Sequence, residues 1–196
     1  MTSGGVAMHE MLSVTLTLFA GVLAGDGALL PLLDFAAPDA GQVWQAVNDG
    51  VMGGRSQGRF RITETKSLEF SGNLSLENNG GFASVRTKPM ALGIAAGDTL
   101  VMRLKGDGRE YMVNIYTTAR RMAFSYRAVV ATEKDRWQEI HVPLDRFEPT
   151  SFGRIVPGMG PVAPDQINGF GFMLGDKKPG AFRLEVEWVK VLRGSE

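Results

Sequence analysis

Residues 180–188 read Gly180-Ala181-Phe182-Arg183-Leu184-Glu185-Val186-Glu187-Trp188. Phe182, Leu184, Val186 and Trp188 alternate with Arg183, Glu185 and Glu187. A period of two puts the two sets on opposite faces of an extended chain, which predicts a strand with one apolar and one charged face. The same period recurs upstream. Phe60 and Ile62 alternate with Arg59, Arg61 and Thr63, and Leu68 and Phe70 with Glu69 and Ser71. Leu74 and Leu76 alternate with Asn73, Ser75 and Glu77, and Leu100, Met102 and Leu104 with Arg103 and Lys105. Ile140, Val142 and Leu144 alternate with Glu139 and His141, while Phe170–Leu174 is almost continuously apolar. Met112–Tyr116 follows Gly106-Asp107-Gly108, a turn that reads as a hairpin. Only residues 42–47, around Trp44, read as a short helical turn. Many short strands with Gly- and Pro-rich connections predict an all-β fold, an antiparallel sandwich of the jelly-roll kind. The pattern alone does not separate a jelly roll from an immunoglobulin-like sandwich. Trp44, Trp137 and Trp188 are expected in the core, and residues 149–164 as a long irregular connection.

The chain has 196 residues, which suits a leader (1–30) and one domain (31–196). Met11–Ala24 is an uncharged apolar run with the length of a signal-peptide core, short for a membrane span. Val22-Leu23-Ala24 supplies small residues at the cleavage positions, but Glu10 precedes the run and no Lys or Arg does. Export to the periplasm or exterior through this signal is one reading; a cytoplasmic protein with an uncleaved tail is a second, and a membrane anchor a third. Membrane contact is expected only through the leader. The 21 basic residues are dispersed and balanced by 21 acidic ones, so no basic patch recruits nucleic acid. The absence of cysteine excludes disulfides, thiolate catalysis and cysteine-ligated metals.

Beyond the leader the chain holds one histidine, His141, and no Gly-x-Ser-x-Gly elbow or His-Glu-x-x-His pair. The expectation is therefore no enzyme, no catalytic residues, no metal and no cofactor. Two other blocks carry specific information: residues 47–54, Val-Asn-Asp-Gly-Val-Met-Gly-Gly, and residues 72–86, Gly-Asn-Leu-Ser-Leu-Glu-Asn-Asn-Gly-Gly-Phe-Ala-Ser-Val-Arg. Asn and Asp fold onto nearby backbone, and Gly permits positive φ and close approach. The two loops are expected side by side, with Asp49 accepting backbone N–H groups of its own loop and Arg86 paired with an acid or carbonyl. Asn48, Asp49, Arg55, Asn78, Asn79 and Arg86 then shape a recognition surface on backbone set by Gly50, Gly53, Gly54, Gly80 and Gly81. Asn73, Ser75 and Glu77 occupy alternate positions and extend that surface along one strand face. Three alternatives stay open. The Gly50–Gly58 run, with Arg55 and Ser56, could cradle an anion. Asn48, Asp49, Glu77, Asn78 and Asn79 could offer oxygens to a hard cation, though without Asp-x-Asp-x-Asp spacing. Tyr111, Tyr116, Tyr126, Trp137 and Arg86 could line a polar-aromatic groove.

The two blocks in this order resemble the signature of the complex I intermediate-associated protein 30 family and its bacterial relatives. Trp44 before Asn48-Asp49-Gly50, Asp107-Gly108-Arg109 before Tyr111, and Trp137 before Val142-Pro143-Leu144 and Phe147 extend the resemblance. Ile167–Phe172 and Gly180–Leu184 resemble its C-terminal strand pair, so the likeness covers roughly residues 33–192. It implies a galactose-binding-like β-sandwich and a non-enzymatic assembly factor whose partner is a protein, a subunit of the respiratory NADH:ubiquinone oxidoreductase. Analogy with sugar-binding jelly rolls implies the alternative, a carbohydrate-binding module with a glycan partner.

Overall fold

The alternating segments become two antiparallel sheets that close on each other over their apolar faces. A computed structural model describes residues 28–118 and 123–194. The first sheet holds β1 (Leu29–Leu33), β3 (Gln57–Ile62), β4 (Leu68–Leu74), β6 (Thr99–Lys105), β9 (Trp137–Pro143) and β13 (Gly180–Leu192). Its order is β3-β4-β13-β6-β9, with β1 also on β13. The second sheet holds β2 (Trp44–Asn48), β5 (Ala83–Thr87), β7 (Glu110–Thr117), β8 (Phe124–Ala131), β10 (Glu148–Ser151), β11 (Arg154–Ile155) and β12 (Ile167–Leu174). Its order is β11-β10-β8-β7-β12-β5-β2. This is the all-β jelly-roll sandwich that the alternation predicts. Among the described residues no helix is long and apolar enough to cross a membrane.

Phe70, Leu184, Leu100, Met102 and Leu104 from the first sheet meet Val85, Val113, Ile115, Phe170 and Phe172 from the second, all fully buried. Phe70 and Phe182 pack edge to face at 4.8 Å, and Phe170 and Phe172 at 5.2 Å. Aromatic pairs in this geometry add to the stabilisation that burial alone gives. β13 is the spine of the first sheet: its first half pairs with β4, its second half with β6 and β1.

Four local expectations change. The apolar set of β13 does not continue to Trp188, because a bulge falls between Val186 and Trp188. One extra residue reverses the side-chain parity. Val189 and Val191 therefore take the inward positions, and Trp188 turns outward with Lys190 4.4 Å over its ring. Trp137 is also outward, under Lys105 at 4.6 Å, and only Trp44 joins the core. Trp44 opens a strand rather than riding a helical turn, because β2 hydrogen-bonds to β5; the turn is confined to Ala40–Val43. Gly106-Asp107-Gly108 is a corner between sheets and not a hairpin. β6 pairs with β13 and β9, and β7 with β8 and β12. Arg109 fixes this corner by a two-pronged ion pair to Asp176 at 3.0 and 2.7 Å, and Asp107 accepts from Arg183 N at 2.9 Å. Residues 149–164 contain the small β10–β11 hairpin, so that connection is partly regular.

The leader reading falls on residues 1–27, outside the described residues. Its last positions are within the fold, however: Leu29 and Leu30 pair with Leu192 and Val191. The folded body thus includes Leu29, two residues before the boundary expected at residue 31. A chain starting at residue 28 should melt cooperatively. Starting at residue 34 removes β1 and buried Leu33, worth about 1.5–3 kcal/mol. The melting temperature should then fall by roughly 3–12 °C; equal melting of the two truncations by circular dichroism would show that β1 is dispensable.

Candidate functional site

Asp49 follows the last residue of β2 and starts a single tight turn, Asp49–Met52, closed by Gly53 at φ 88°. Its side chain is fully buried. Oδ1 accepts from Ser56 N at 2.9 Å. Oδ2 accepts from Ser56 Oγ at 2.6 Å, Gly81 N at 2.7 Å and Phe82 N at 3.3 Å. One carboxylate thus ties residues 49–56 to residues 81–82. Ser56 extends the tie, because its Oγ also accepts from Ser75 N at 3.0 Å. Burial alone would raise the Asp49 pKa, but the Ser56 hydroxyl and the N–H groups of Gly81, Ser56 and Phe82 hold it below the usual carboxylate value.

The glycines of both loops fall into place around this group. A Cβ on Gly54 would lie 2.4 Å from Asp49 Cγ, and one on Gly80 would lie 2.6 Å from Asp49 Oδ2. Gly81 is needed for another reason, a φ of 130°. Gly50 has open space at that position, so its identity has no steric cause. The adjacency of the two loops and the inward bonding of Asp49 agree with the sequence reading. The partners of Asp49 bear on the anion-cradle alternative: within the Gly50–Gly58 run, Ser56 N and Oγ already serve an anion, Asp49, and Gly53 N and Gly54 N donate to backbone carbonyls. They also disfavour a cation there, since three donors crowd Oδ2.

The buried lock displays a rigid outer surface. Val51 and Met52 are 74% and 55% exposed, and Leu76 is 42% exposed. Arg55 and Glu77 form an exposed ion pair at 3.0 Å, bridging the loops a second time. Asn78 and Asn79, both exposed, take left-handed backbone at φ 55° and 57°, a conformation Asn tolerates. Asn73, Ser75 and Glu77 line one shallow hollow with Leu76, Pro179 and Gly180. They are not on one strand face, however: β4 ends at Leu74, and Glu77 belongs to the following turn. Asn48 points back into the fold, donating from Nδ2 to Gly58 O at 2.9 Å.

Arg86 stands apart. It lies on the outward face of β5, its guanidinium 5.4 Å over the Tyr116 ring, and it pairs with no carboxylate among the described residues. The expected partner of Arg86 is an acid or a carbonyl; the acid is corrected, because β5 carries Arg86 away from the loop at its own start and onto the Tyr116 ring. The alternative of a polar-aromatic groove also disperses. Tyr111 and Tyr126 are core residues of the second sheet, and Trp137 is on the first sheet. Ser56 is the residue of the lock that sequence reasoning undervalued; its only signal was its place in Gly-Gly-Arg-Ser.

The sequence profile of the Complex I intermediate-associated protein 30 (CIA30) family matches residues 33–186. The chain belongs to that family. It is 28% identical over 169 residues to the mitochondrial Complex I intermediate-associated protein 30 of Mus musculus, covering 76% of this chain and 51% of that one. To the Drosophila melanogaster protein of the same name it is 27% identical over 180 residues, covering 81% and 61%. The chain thus spans between half and two thirds of these relatives' length. Among solved structures it is similar to the family 11 carbohydrate-binding module from Clostridium thermocellum in complex with a mixed-linked tetrasaccharide. That likeness has a TM-score of 0.60 at 16% identity and covers 86% of this chain and 97% of the module. At that identity it establishes the fold alone.

Asp49→Asn should cost at least about 3 kcal/mol, because two or more charge-assisted hydrogen bonds of about 1.5–3 kcal/mol each are lost. Arg55→Ala removes only an exposed pair and should cost under about 1 kcal/mol. Urea denaturation of the two variants checks the ranking, and a loss in Asp49→Asn no larger than in Arg55→Ala would remove the lock from the account.

Proposed function

We propose that this domain is a non-enzymatic recognition module of the assembly-factor kind, which holds a subunit of a respiratory complex through the loops locked by Asp49. Family membership supports the assembly role. The observation that carries the site is the exposed apolar set Val51, Met52 and Leu76 on backbone that a buried carboxylate immobilises. Exposed apolar side chains on pre-ordered loops favour protein contact, since little loop entropy remains to be lost on binding. Asn73, Ser75, Asn78, Asn79 and the Arg55–Glu77 pair form the polar surround. Asn48 and Asp49, with Gly53, Gly54, Gly80 and Gly81, act from beneath by setting the shape.

A crosslinked pull-down from the native organism, read by mass spectrometry, tests this reading. The unaltered domain should recover respiratory-complex subunits. A Val51→Ser, Met52→Ser, Leu76→Ser variant with an unchanged melting temperature should recover them at least about tenfold less, the effect of some 1.4 kcal/mol of binding energy. Equal recovery by the variant would move the interface elsewhere, and recovery of envelope proteins alone would contradict the respiratory role.

A further inference from the structure

The outward faces of the two sheets have opposite electrostatic character. On the first, Arg61, Glu69, Glu185 and Lys105 form one cross-strand row. Glu69 is paired with Arg61 at 2.8 Å and Arg183 at 2.7 Å, and Glu185 with Lys105 at 2.9 Å. The charges of that row are paired within it and with Arg183. On the second sheet the corresponding row is Glu148, Arg127, Asn114, Gly171, Arg86 and Gln45, running unbroken from β10 to β2.

This second row has donors without acceptors. Asn114 is fully buried. Its Oδ1 accepts from Arg127 Nε and Ser125 Oγ, each at 3.1 Å, while its Nδ2 has no acceptor among the described residues. Arg86 Nε is likewise without one. Neither Arg86 nor Arg127 forms an ion pair among the described residues, and Glu148 on the edge strand does not supply one. Burial lowers the Arg127 pKa, the direction expected of an uncompensated cation. Buried polar groups in native proteins are normally satisfied, so unpartnered donors beside cations that have no carboxylate partner mark a face suited to an anionic acceptor.

The spacing limits what that acceptor is. β8 and β5, which carry Arg127 and Arg86, are three strand steps apart, about 14 Å. Arg86 is held on Tyr116 and Arg127 on Asn114, so the two do not converge on one small anion. Between them β12 offers Gly171, where a Cβ would lie 2.5 Å from Val85 O. The centre of the row therefore carries no side chain at position 171, and Gly171 itself is buried between the flanking strands. An extended peptide advances about 3.3 Å per residue and alternates its side chains, so acidic side chains four residues apart share a face and span the two arginines.

We propose that the outward face of the second sheet docks an extended acidic segment of a partner protein, with its carboxylates on Arg86 and Arg127. The proposal rests on the reading of this domain as a protein-binding module but uses a surface other than the Asp49 loops. Fluorescence anisotropy with labelled octaglutamate tests it, with labelled octaglutamine and an eight-unit oligogalacturonate as comparators. The unaltered domain should bind octaglutamate, more weakly as salt rises, and should not bind octaglutamine. Arg86→Gln with Arg127→Gln should weaken binding at least tenfold. Arg86→Lys with Arg127→Lys keeps the charge, loses the planar fork and should fall between. Melting curves show that each variant is folded, and the Lys pair serves if the Gln pair is not. The Val51→Ser, Met52→Ser, Leu76→Ser variant should bind octaglutamate normally, which separates failure here from failure of the loop reading. No binding of octaglutamate at millimolar concentration, or affinity of a folded Gln pair within twofold of the parent, overturns the proposal. Tighter binding of oligogalacturonate than of octaglutamate also overturns it, in favour of an acidic glycan.

Discussion

The Asp49 carboxylate is the interaction on which the recognition end of this domain depends. A buried charge is costly unless several hydrogen bonds compensate it. Here the compensating groups are the N–H of Ser56, Gly81 and Phe82 and the hydroxyl of Ser56, drawn from segments more than twenty residues apart. The requirement is mutual. Those donors cannot be paired in a sheet because they lie in loops, and without Asp49 they would be unmatched, Ser56 in a buried position and Gly81 and Phe82 in partly buried ones. Glycine at 54 and 80 follows from the same group, since a side chain at either would occupy the volume of the carboxylate. The composition of both loops is thus the consequence of one buried anion.

That arrangement divides labour within the domain. The sandwich supplies a rigid base, because the apolar faces of both sheets are fully used against each other. The first sheet's outward face is neutralised by paired charges, as befits a surface that stays in water. The loops carry exposed apolar side chains on fixed backbone, and the second sheet's outward face carries cations that have no carboxylate partner among the described residues. Two surfaces of different chemistry suit a protein that holds others together, and they support the assembly-factor reading better than a single sugar cleft would. Stacking platforms for sugars need aromatic rings facing outward, and on the second sheet's outward face Tyr116 is the tyrosine that does so, already covered by Arg86.

Much of the fold was legible because period-two alternation survives in most strands, from Phe60 in β3 to Leu184 in β13. It fails where a local event changes parity. The bulge before Trp188 inverts inside and outside, and no residue type in Val186-Glu187-Trp188 announces it. Gly106-Asp107-Gly108 has the composition of a hairpin turn, yet Arg109 commits it to Asp176, 67 positions away. Such a long-range pairing leaves no trace in local composition. The site was legible in part for the same reason. Asp49 among glycines signalled a shaped loop, and the spacing of the two blocks carried the family resemblance. The sheet-face row was not legible, since Arg127, Asn114 and Arg86 are brought together only by register across β8, β7, β12 and β5. Arg86 is close to Gly81 in sequence but not to the loop's polar groups in space, because the extended β5 separates them.

The titration of Asp49 followed by carboxyl-carbon NMR tests the central claim most directly. The four donors predict a folded-state pKa below the ordinary value of about 3.9, despite complete burial. A depressed pKa stabilises the fold in full above the unfolded value, and that stabilisation is lost as pH falls through the folded one. Shift changes at the Gly81 and Phe82 amides should track the same titration. An Asp49 pKa at or above about 3.9, or amides that do not respond to its protonation, would contradict the account.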